Sequence, residues 1–275
     1  MSKTRYVELV SARLNEVKDA MRSQFYEANK IASFVVDDFL PSACAEEIYR
    51  AFPVTSLLVL KKSLKEDKYI GVQMDKYNPI CKEITYAFQD QRVLDIIAYI
   101  TGIDGMYADP HLYASGLSLM KEGQFLNPHL DNSHDKDRKG YRVLNLLYYV
   151  TPDWHPDVCG GNLELWDDGL RAAPRVINYK FNRLVCMATH RESWHSVQAV
   201  TAEHNRCCVS NYYFSPTPIG TSEAYFHVTS FRGRPTQPIR DIVVRADAAL
   251  RQVVRKILPP DFIKNPHVYK KDEAI

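Results

Sequence analysis

Hydrophobic spacing divides the chain into three stretches. Over residues 5–32, Val7, Val10, Leu14, Val17 and Met21 recur at intervals of three and four, which gathers them on one stripe of a helix. The stripe is read as packing against the main domain, with homodimerisation through it as the alternative. Residues 34–39 (FVVDDF) read as a strand. Pro41 and Ser42 open a helix near 43–51 with Ser42 as its N-cap, and residues 57–60 read as a second short strand. Asn78-Pro79 opens a helical region that reaches about Ile100, where Gly102 is placed to stop it. Residues 1–105 are therefore expected to be largely helical support.

From about 112 to 231 the rhythm changes. ASGLSLM, GQFLNPHLD, RVLNLLYYV, GGNLELW, RLVCMA, WHSVQAV and RCCVSNYYF are short apolar and aromatic runs separated by turn clusters. Such spacing predicts an all-β barrel or jelly roll. Helical periodicity returns over 240–258, with Ile242, Val243, Ala246, Leu250, Val253, Val254 and Ile257 apolar. Arg240, Arg245, Arg251, Arg255 and Lys256 on that helix read as a solvated face. The expected fold class is mainly β with supporting helices (α+β). It is a jelly-roll or cupin-like barrel over 106–232, a C-terminal helical segment over 233–275, and one domain across 1–275.

Composition narrows the function classes. Seventeen tyrosines, against 11 Phe and 3 Trp, favour pleated, half-buried surfaces. A net charge of +2, with no clustered basic stripe around the barrel, argues against nucleic acid as a partner. No apolar run is long enough to span a bilayer, and the N-terminus has no signal-peptide pattern. Cys44, Cys81, Cys159, Cys186, Cys207 and Cys208 include no CxxC pair, which suggests a reducing compartment and a cytoplasmic location.

Two H-x-D tripeptides stand out, His129-Leu130-Asp131 and His155-Pro156-Asp157. Two residues spaced by one on a strand point to the same face, so an imidazole and a carboxylate can share a metal ion there. His129 and Asp131 close a predicted strand, whereas His155 sits among loop residues. A second imidazole would complete a 2-His-1-carboxylate triad, which leaves open positions on Fe(II). His190, His195, His204 and His227 are the candidates, and His195 lies in a strand-like context (SWHSVQAV). Arg206 opens the following strand. Buried there, it needs an acidic partner, either a dicarboxylate cosubstrate or a protein group such as Glu164.

At these blocks the chain resembles the 2-oxoglutarate- and Fe(II)-dependent dioxygenases, most closely the prolyl-4-hydroxylase-like subgroup. The resemblance runs from about Tyr113 to Ser215 through GQFLNPHLDN, RVLNLLYYVTPDW, GGNLELW, NRLVCMATHRESWHSVQAV and NRCCVSNYYFS. It implies a double-stranded β-helix with His129, Asp131 and His195 as iron ligands. It also implies that Arg206 and Tyr149 grip the distal carboxylate of 2-oxoglutarate and that Ser210 lies near it; read alone, Tyr149 is equally a core aromatic. Arg142 and Asn145, on the strand of Tyr149, are expected to face the substrate. The carboxylate at Asp131, where halogenases of the family carry a small residue, implies hydroxylation.

The resulting expectation is a dioxygenase using Fe(II), 2-oxoglutarate and O2, with ascorbate as a supporting reductant. It would hydroxylate an unactivated C–H bond of a small polar metabolite, amino acid or peptidyl side chain, releasing succinate and CO2. The alternative is a cupin-like metal-binding barrel without turnover. The polar segment 132–141 (NSHDKDRKGY) is expected to be a loop or lid that touches a polar substrate.

Overall fold

A computed structural model of the chain describes residues 3–27, 31–113, 115–219, 226–257 and 268–270. In chain order its helices are α1 (Lys3–Tyr26), α2 (Ser42–Arg50), α3 (Pro79–Ala87), α4 (Gln91–Thr101), α5 (Pro156–Cys159) and α6 (Pro238–Ile257). Its strands begin with β1 (Ser33–Val36), β2 (Val59–Lys62), β3 (Glu66–Gly71), β4 (Tyr107–Ala108), β5 (Gly116–Met120), β6 (Phe125–Leu130) and β7 (Tyr141–Tyr149). They continue with β8 (Leu163–Leu165), β9 (Arg175–Ile177), β10 (Arg183–Ala188), β11 (His195–Val197), β12 (Arg206–Ser215) and β13 (Ser230–Phe231).

These strands form one antiparallel sheet in the order β1-β10-β7-β12-β5-β3-β6-β11-β8-β9, with β2 on β3, β4 on β12 and β13 on β6. The sheet curls into a double-stranded β-helix, which agrees with the jelly-roll barrel predicted from the strand rhythm. Period-two alternation explains how it carries two cores. Leu144, Leu146 and Tyr148 of β7, with Cys207, Val209 and Tyr213 of β12, face the helices. Their neighbours Asn145, Leu147, Arg206, Cys208, Ser210 and Tyr212 line the interior of the curl.

Helix α1 uses its apolar stripe inside the protein. Val7, Val10 and Leu14 are buried in the helix-side core, Val17 and Met21 pack against it, and the helix lies on α3 and α4. Each of the fully buried pair Val10 and Leu14 is worth about 1.5–3 kcal/mol of transfer free energy. This answers the stripe without the homodimer. The helix ends at Tyr26 rather than 32; residues 28–30 lie outside the described residues. Ile31 is already held elsewhere, its N–H donating to Asp167 Oδ1 at 3.0 Å.

Other boundaries move for local reasons. Ser42 is the first residue of α2, not its cap: Pro41 holds the cap position, and its carbonyl accepts from Cys44 and Ala45 N–H. The region expected as one helix from Asn78 to Ile100 is two. Asn78 caps α3 and Asp90 caps α4, each side chain accepting from the N–H two residues on. Gly102 ends α4 at φ +67, a left-handed conformation that suits glycine. The support region also supplies strands: β1 pairs with β10, and β3 sits between β5 and β6.

Helix α6 is turned opposite to expectation. Ile239, Ile242, Val243, Leu250 and Val253 are exposed. The charged residues instead dock the helix: Asp241 receives Arg232 Nε at 2.6 Å, and Asp247 receives Lys65 Nζ at 3.1 Å. Arg240 and Arg251 therefore face the protein, Arg240 over the Phe125 ring and Arg251 onto Asp247. Residues 258–267 and 271–275 of the expected C-terminal helical segment lie outside the described residues.

Candidate metal centre

The register of two neighbouring strands builds the centre. His195, the first residue of β11, is paired directly with His129 of β6. Residues directly opposite in an antiparallel pair share a face, and these imidazole centroids stand 4.1 Å apart. Asp131 follows β6 and turns back to them, with Oδ1 3.8 Å from His129 Nε2 and Oδ2 3.5 Å from His195 Nε2. Ligand atoms of the three side chains all lie within 4.8 Å of one another.

Backbone carbonyls orient both rings. His129 Nδ1–H donates to Asn127 O at 3.0 Å, and His195 Nδ1–H donates to Ser193 O at 2.9 Å. With Nδ1 protonated, each Nε2 keeps a lone pair for a cation. Phe231 stacks on His129 at 5.1 Å and shields it. Burial, then the neighbouring His195, pushes the His129 imidazole down to about 3, so it is neutral at physiological pH and ready to bind a metal. For Asp131, burial alone would favour the neutral acid. Arg142, the two imidazoles and Asn145 outweigh it and hold the carboxyl well below its ordinary value.

Arg142 and Asn145 line the same cavity and are both engaged with Asp131. Arg142 Nη1 lies 3.2 Å from Oδ1, and Asn145 Nδ2 donates to Oδ2 at 2.7 Å. Arg142 Nη2 also donates to Asn132 Oδ1 at 2.7 Å, and its guanidinium lies over the Tyr212 ring. Arg142 Nε and Asn145 Oδ1 are buried without a hydrogen-bond partner.

Arg206 opens β12 and is 3 % exposed. Its Nε donates to Gly161 O at 2.6 Å, and its guanidinium rests on the rings of Tyr149 and Tyr179 at 4.9 and 4.7 Å. Among the described residues no carboxylate pairs with it. Glu164, the alternative partner, is taken by Ser196 Oγ at 2.6 Å, Gln198 Nε2 at 3.2 Å and Arg234 Nη1 at 2.8 Å. Tyr149 stacks on Tyr179 at 4.4 Å, and its hydroxyl is buried without a hydrogen-bond partner. Burial raises that phenol, so it remains a donor. Ser210 lines the cavity and donates to Gly116 O at 3.1 Å.

His129, Asp131, His195, Arg142, Asn145, Arg206 and Ser210 border a cavity of about 400 Å³, within the range of small-molecule sites, with Tyr149 packed against Arg206. The donor set suits a divalent iron ion, and the unpaired buried guanidinium beside an orphaned phenol suits a carboxylate. The other candidate histidines stand apart from the ligand cluster. His155 precedes α5, His204 lies against Trp154, and His190 and His227 line a small neighbouring cavity.

Segment 132–141 differs from expectation. The Asp135 carboxylate gathers the N–H groups of Asp137, Lys139 and Gly140 and the Tyr107 hydroxyl, closing a tight turn. From the segment only Asn132 lines the cavity. The lining that the sequence reading missed comes from the β2–β3 hairpin (Lys61, Glu66, Lys68) and from Arg251 of α6. The inward face of β3 is largely charged, so it lacks the apolar alternation by which strands are found.

Gly161 sits at φ +68, and a Cβ there would meet Arg206 Cδ at 2.8 Å. Gly161→Ala is therefore expected to push Arg206 aside. The KM for 2-oxoglutarate should rise about ten-fold or more, since each ten-fold needs only ~1.4 kcal/mol, while Fe(II) affinity stays constant. Steady-state kinetics at varied cosubstrate checks this; an unchanged KM would contradict the assigned approach of Gly161 to Arg206.

Comparison with known proteins agrees with this geometry. Residues 115–214 match the 2OG-Fe(II) oxygenase superfamily. No curated protein matches the sequence. Among solved structures, the fold is similar to a Trichoplax adhaerens prolyl hydroxylase in complex with a hypoxia inducible factor peptide fragment, with TM-score 0.54 and 19% identity over 74% of this chain and 91% of that one. It is also similar to a Pseudomonas putida prolyl-4-hydroxylase, with TM-score 0.53 and 19% identity over 72% and 99%. A prolyl 4-hydroxylase from Phytophthora capsici aligns with TM-score 0.50 and 16% identity over 92% and 78%.

Proposed function

We propose that this chain, whose residues 115–214 match the 2OG-Fe(II) oxygenase superfamily, hydroxylates an unactivated C–H bond of a small polar metabolite, amino acid or peptidyl side chain. The cofactors are those of the superfamily: Fe(II), 2-oxoglutarate and O2. When bound, they supply the oxidant, with succinate and CO2 as co-products.

The protein's part is to bind, orient and exclude. His129, Asp131 and His195 would hold the iron, their Nε2 atoms already aimed by the carbonyls of Asn127 and Ser193. Arg142 and Asn145 would fix the orientation of Asp131, leaving Arg142 Nε and Asn145 Oδ1 for a bound molecule. Arg206 and the Tyr149 hydroxyl would take the distal carboxylate of 2-oxoglutarate, with Ser210 beside it. The single observation that carries the reading is Arg206, a buried cation without a carboxylate partner among the described residues, on the cavity that holds the three candidate ligand side chains. A cupin-like barrel that only stores metal has no use for such a group.

The Trichoplax protein is solved with a peptide, which keeps a peptidyl side chain among the substrates. The whole of 1–275 is read as one dioxygenase domain. Six buried, unbridged cysteines support a reducing, cytoplasmic setting, and no described helix is long and apolar enough to cross a membrane.

The test is succinate release with O2 consumption by the Fe(II)-loaded protein, supplied with 2-oxoglutarate, ascorbate and a substrate panel. Equimolar succinate and O2 uptake are expected, abolished by chelation and absent when Zn(II) replaces iron. Stable metal loading with no succinate from any substrate would favour the storage barrel.

A further inference from the structure

The β2–β3 hairpin carries an arrangement the iron chemistry does not use. Lys61 of β2 and Lys68 of β3 are directly opposite in the ladder, and both line the cavity. Like charges directly opposite across a strand pair repel and destabilise the pair. Glu66, two residues from Lys68 on the same face, neutralises one of them at 3.2 Å. Lys61 is half-buried and has no hydrogen bond or ion pair among the described residues.

Arg251 of α6 lines the same cavity. Its Nε donates to Asp247 at 2.8 Å, but that carboxylate also serves Lys65 at 3.1 Å. Arg251 Nη2 is buried without a hydrogen-bond partner. Lys61, Lys65, Lys68 and Arg251 thus face two carboxylates, Glu66 and Asp247, an excess of two positive charges (4 − 2). The whole chain carries only +2, so this excess is a local feature of one cavity mouth. Within the cavity, Arg142 is engaged by Asp131 and Arg206 is assigned to the cosubstrate.

We propose that the substrate is a small anion whose carboxylate or phosphate group docks among Lys61, Lys68 and Arg251, presenting a neighbouring C–H bond to the metal centre. The inference rests on the oxygenase reading only for what happens after docking. Strand β3 runs beside β6, Glu66 facing Leu126 three residues before His129, so the basic hairpin and the ligand histidine share one wall. A cavity of about 400 Å³ suits a small molecule beside the cosubstrate.

The experiment is calorimetric titration of the anaerobic protein, holding Fe(II) and saturating 2-oxoglutarate, with inorganic phosphate and separately with citrate. Saturable one-site binding of at least one anion is expected, and whichever binds more tightly distinguishes a phosphate ester from a polycarboxylate. Lys61→Gln and Arg251→Gln should each weaken it about ten-fold, and Lys61→Arg should retain it. No saturable binding of either anion, or binding indifferent to both Gln substitutions, would overturn the proposal. The iron–cosubstrate absorption band, recorded in the same wild-type sample, reads the oxygenase assignment separately. A normal band without anion binding sinks the basic site alone. Anion binding that responds to the substitutions without a band leaves the basic site standing and sinks the cosubstrate assignment.

Discussion

Asp131→Ala is expected to eliminate hydroxylation and to lower Fe(II) affinity by about 100-fold or more, beyond what loss of an outer-sphere partner costs. The carboxylate is the one anionic group in the ligand set, and two neutral imidazoles alone hold Fe(II) weakly. A second effect is separable from the metal. Arg142 is buried and gives Asp131 its Nη1. Removing one partner of a buried ion pair costs about 3–5 kcal/mol because the other charge stays desolvated. The metal-free variant should therefore melt roughly 10 °C lower, at a few degrees per kcal/mol for a domain of this size. Asp131→Ala combined with Arg142→Met should recover much of that stability without recovering iron, a non-additivity that identifies the pair as coupled. Thermal melts of the three metal-free proteins, with iron titrations, check both halves. Independent, additive effects would remove Arg142 from the account of Asp131.

Arg206→Ala is expected to raise the KM for 2-oxoglutarate by about 100-fold or more, ~2.7 kcal/mol at ~1.4 kcal/mol per ten-fold. Fe(II) binding should persist, because among the described residues no hydrogen bond or ion pair joins Arg206 to the candidate ligands His129, Asp131 and His195. Arg206→Lys should recover only part, since an ammonium cannot offer the two-pronged grip of a guanidinium. The metal-free protein should tolerate the change. What is lost is a bond to Gly161 O, a weak contact to Met120 Sδ and two aromatic faces, and what is gained is relief from burying a cation with no carboxylate partner among the described residues. The stability difference is expected within about 2 kcal/mol either way, in the range of single mutations. A storage barrel predicts the reverse, with Arg206 as a structural cation whose loss unfolds the protein and leaves metal and cosubstrate behaviour unlinked.

The barrel and the clustering of His129, Asp131 and His195 were legible because their residues obey simple periodicities. His129 and Asp131 are two positions apart at a strand end, and the apolar context of His195 marked the strand that pairs with theirs. Arg206 was legible as a strand cation in need of an acidic partner, whereas Tyr149 was singled out only through resemblance, since LLYYV is apolar throughout and gives no hint that one hydroxyl lacks a partner. Strand β3 was illegible for a physical reason, although residues 57–60, read as a strand, overlap β2. Burial selects apolar residues where a strand faces a dry core, but β3 turns Glu66 and Lys68 toward a polar cavity, so its sequence looks like a surface loop. Helix α6 misled in the opposite sense. Its arginines suggested a solvated face, yet Arg232–Asp241 and Lys65–Asp247 ion pairs dock the charged side inward. Only tertiary partners, supplied by distant parts of the chain, decide that rotation.

The most direct measurement is anaerobic titration of the Fe(II)-loaded protein with 2-oxoglutarate, followed by the visible metal-to-ligand charge-transfer absorption. One equivalent per iron should produce a saturable band in the wild type, a band displaced to far higher cosubstrate in Arg206→Ala, and none in His195→Ala. A wild-type protein that binds iron yet gives no band, or an Arg206→Ala titration that overlays the wild type, would contradict a single cavity in which two imidazoles, one carboxylate and one buried guanidinium hold metal and cosubstrate together.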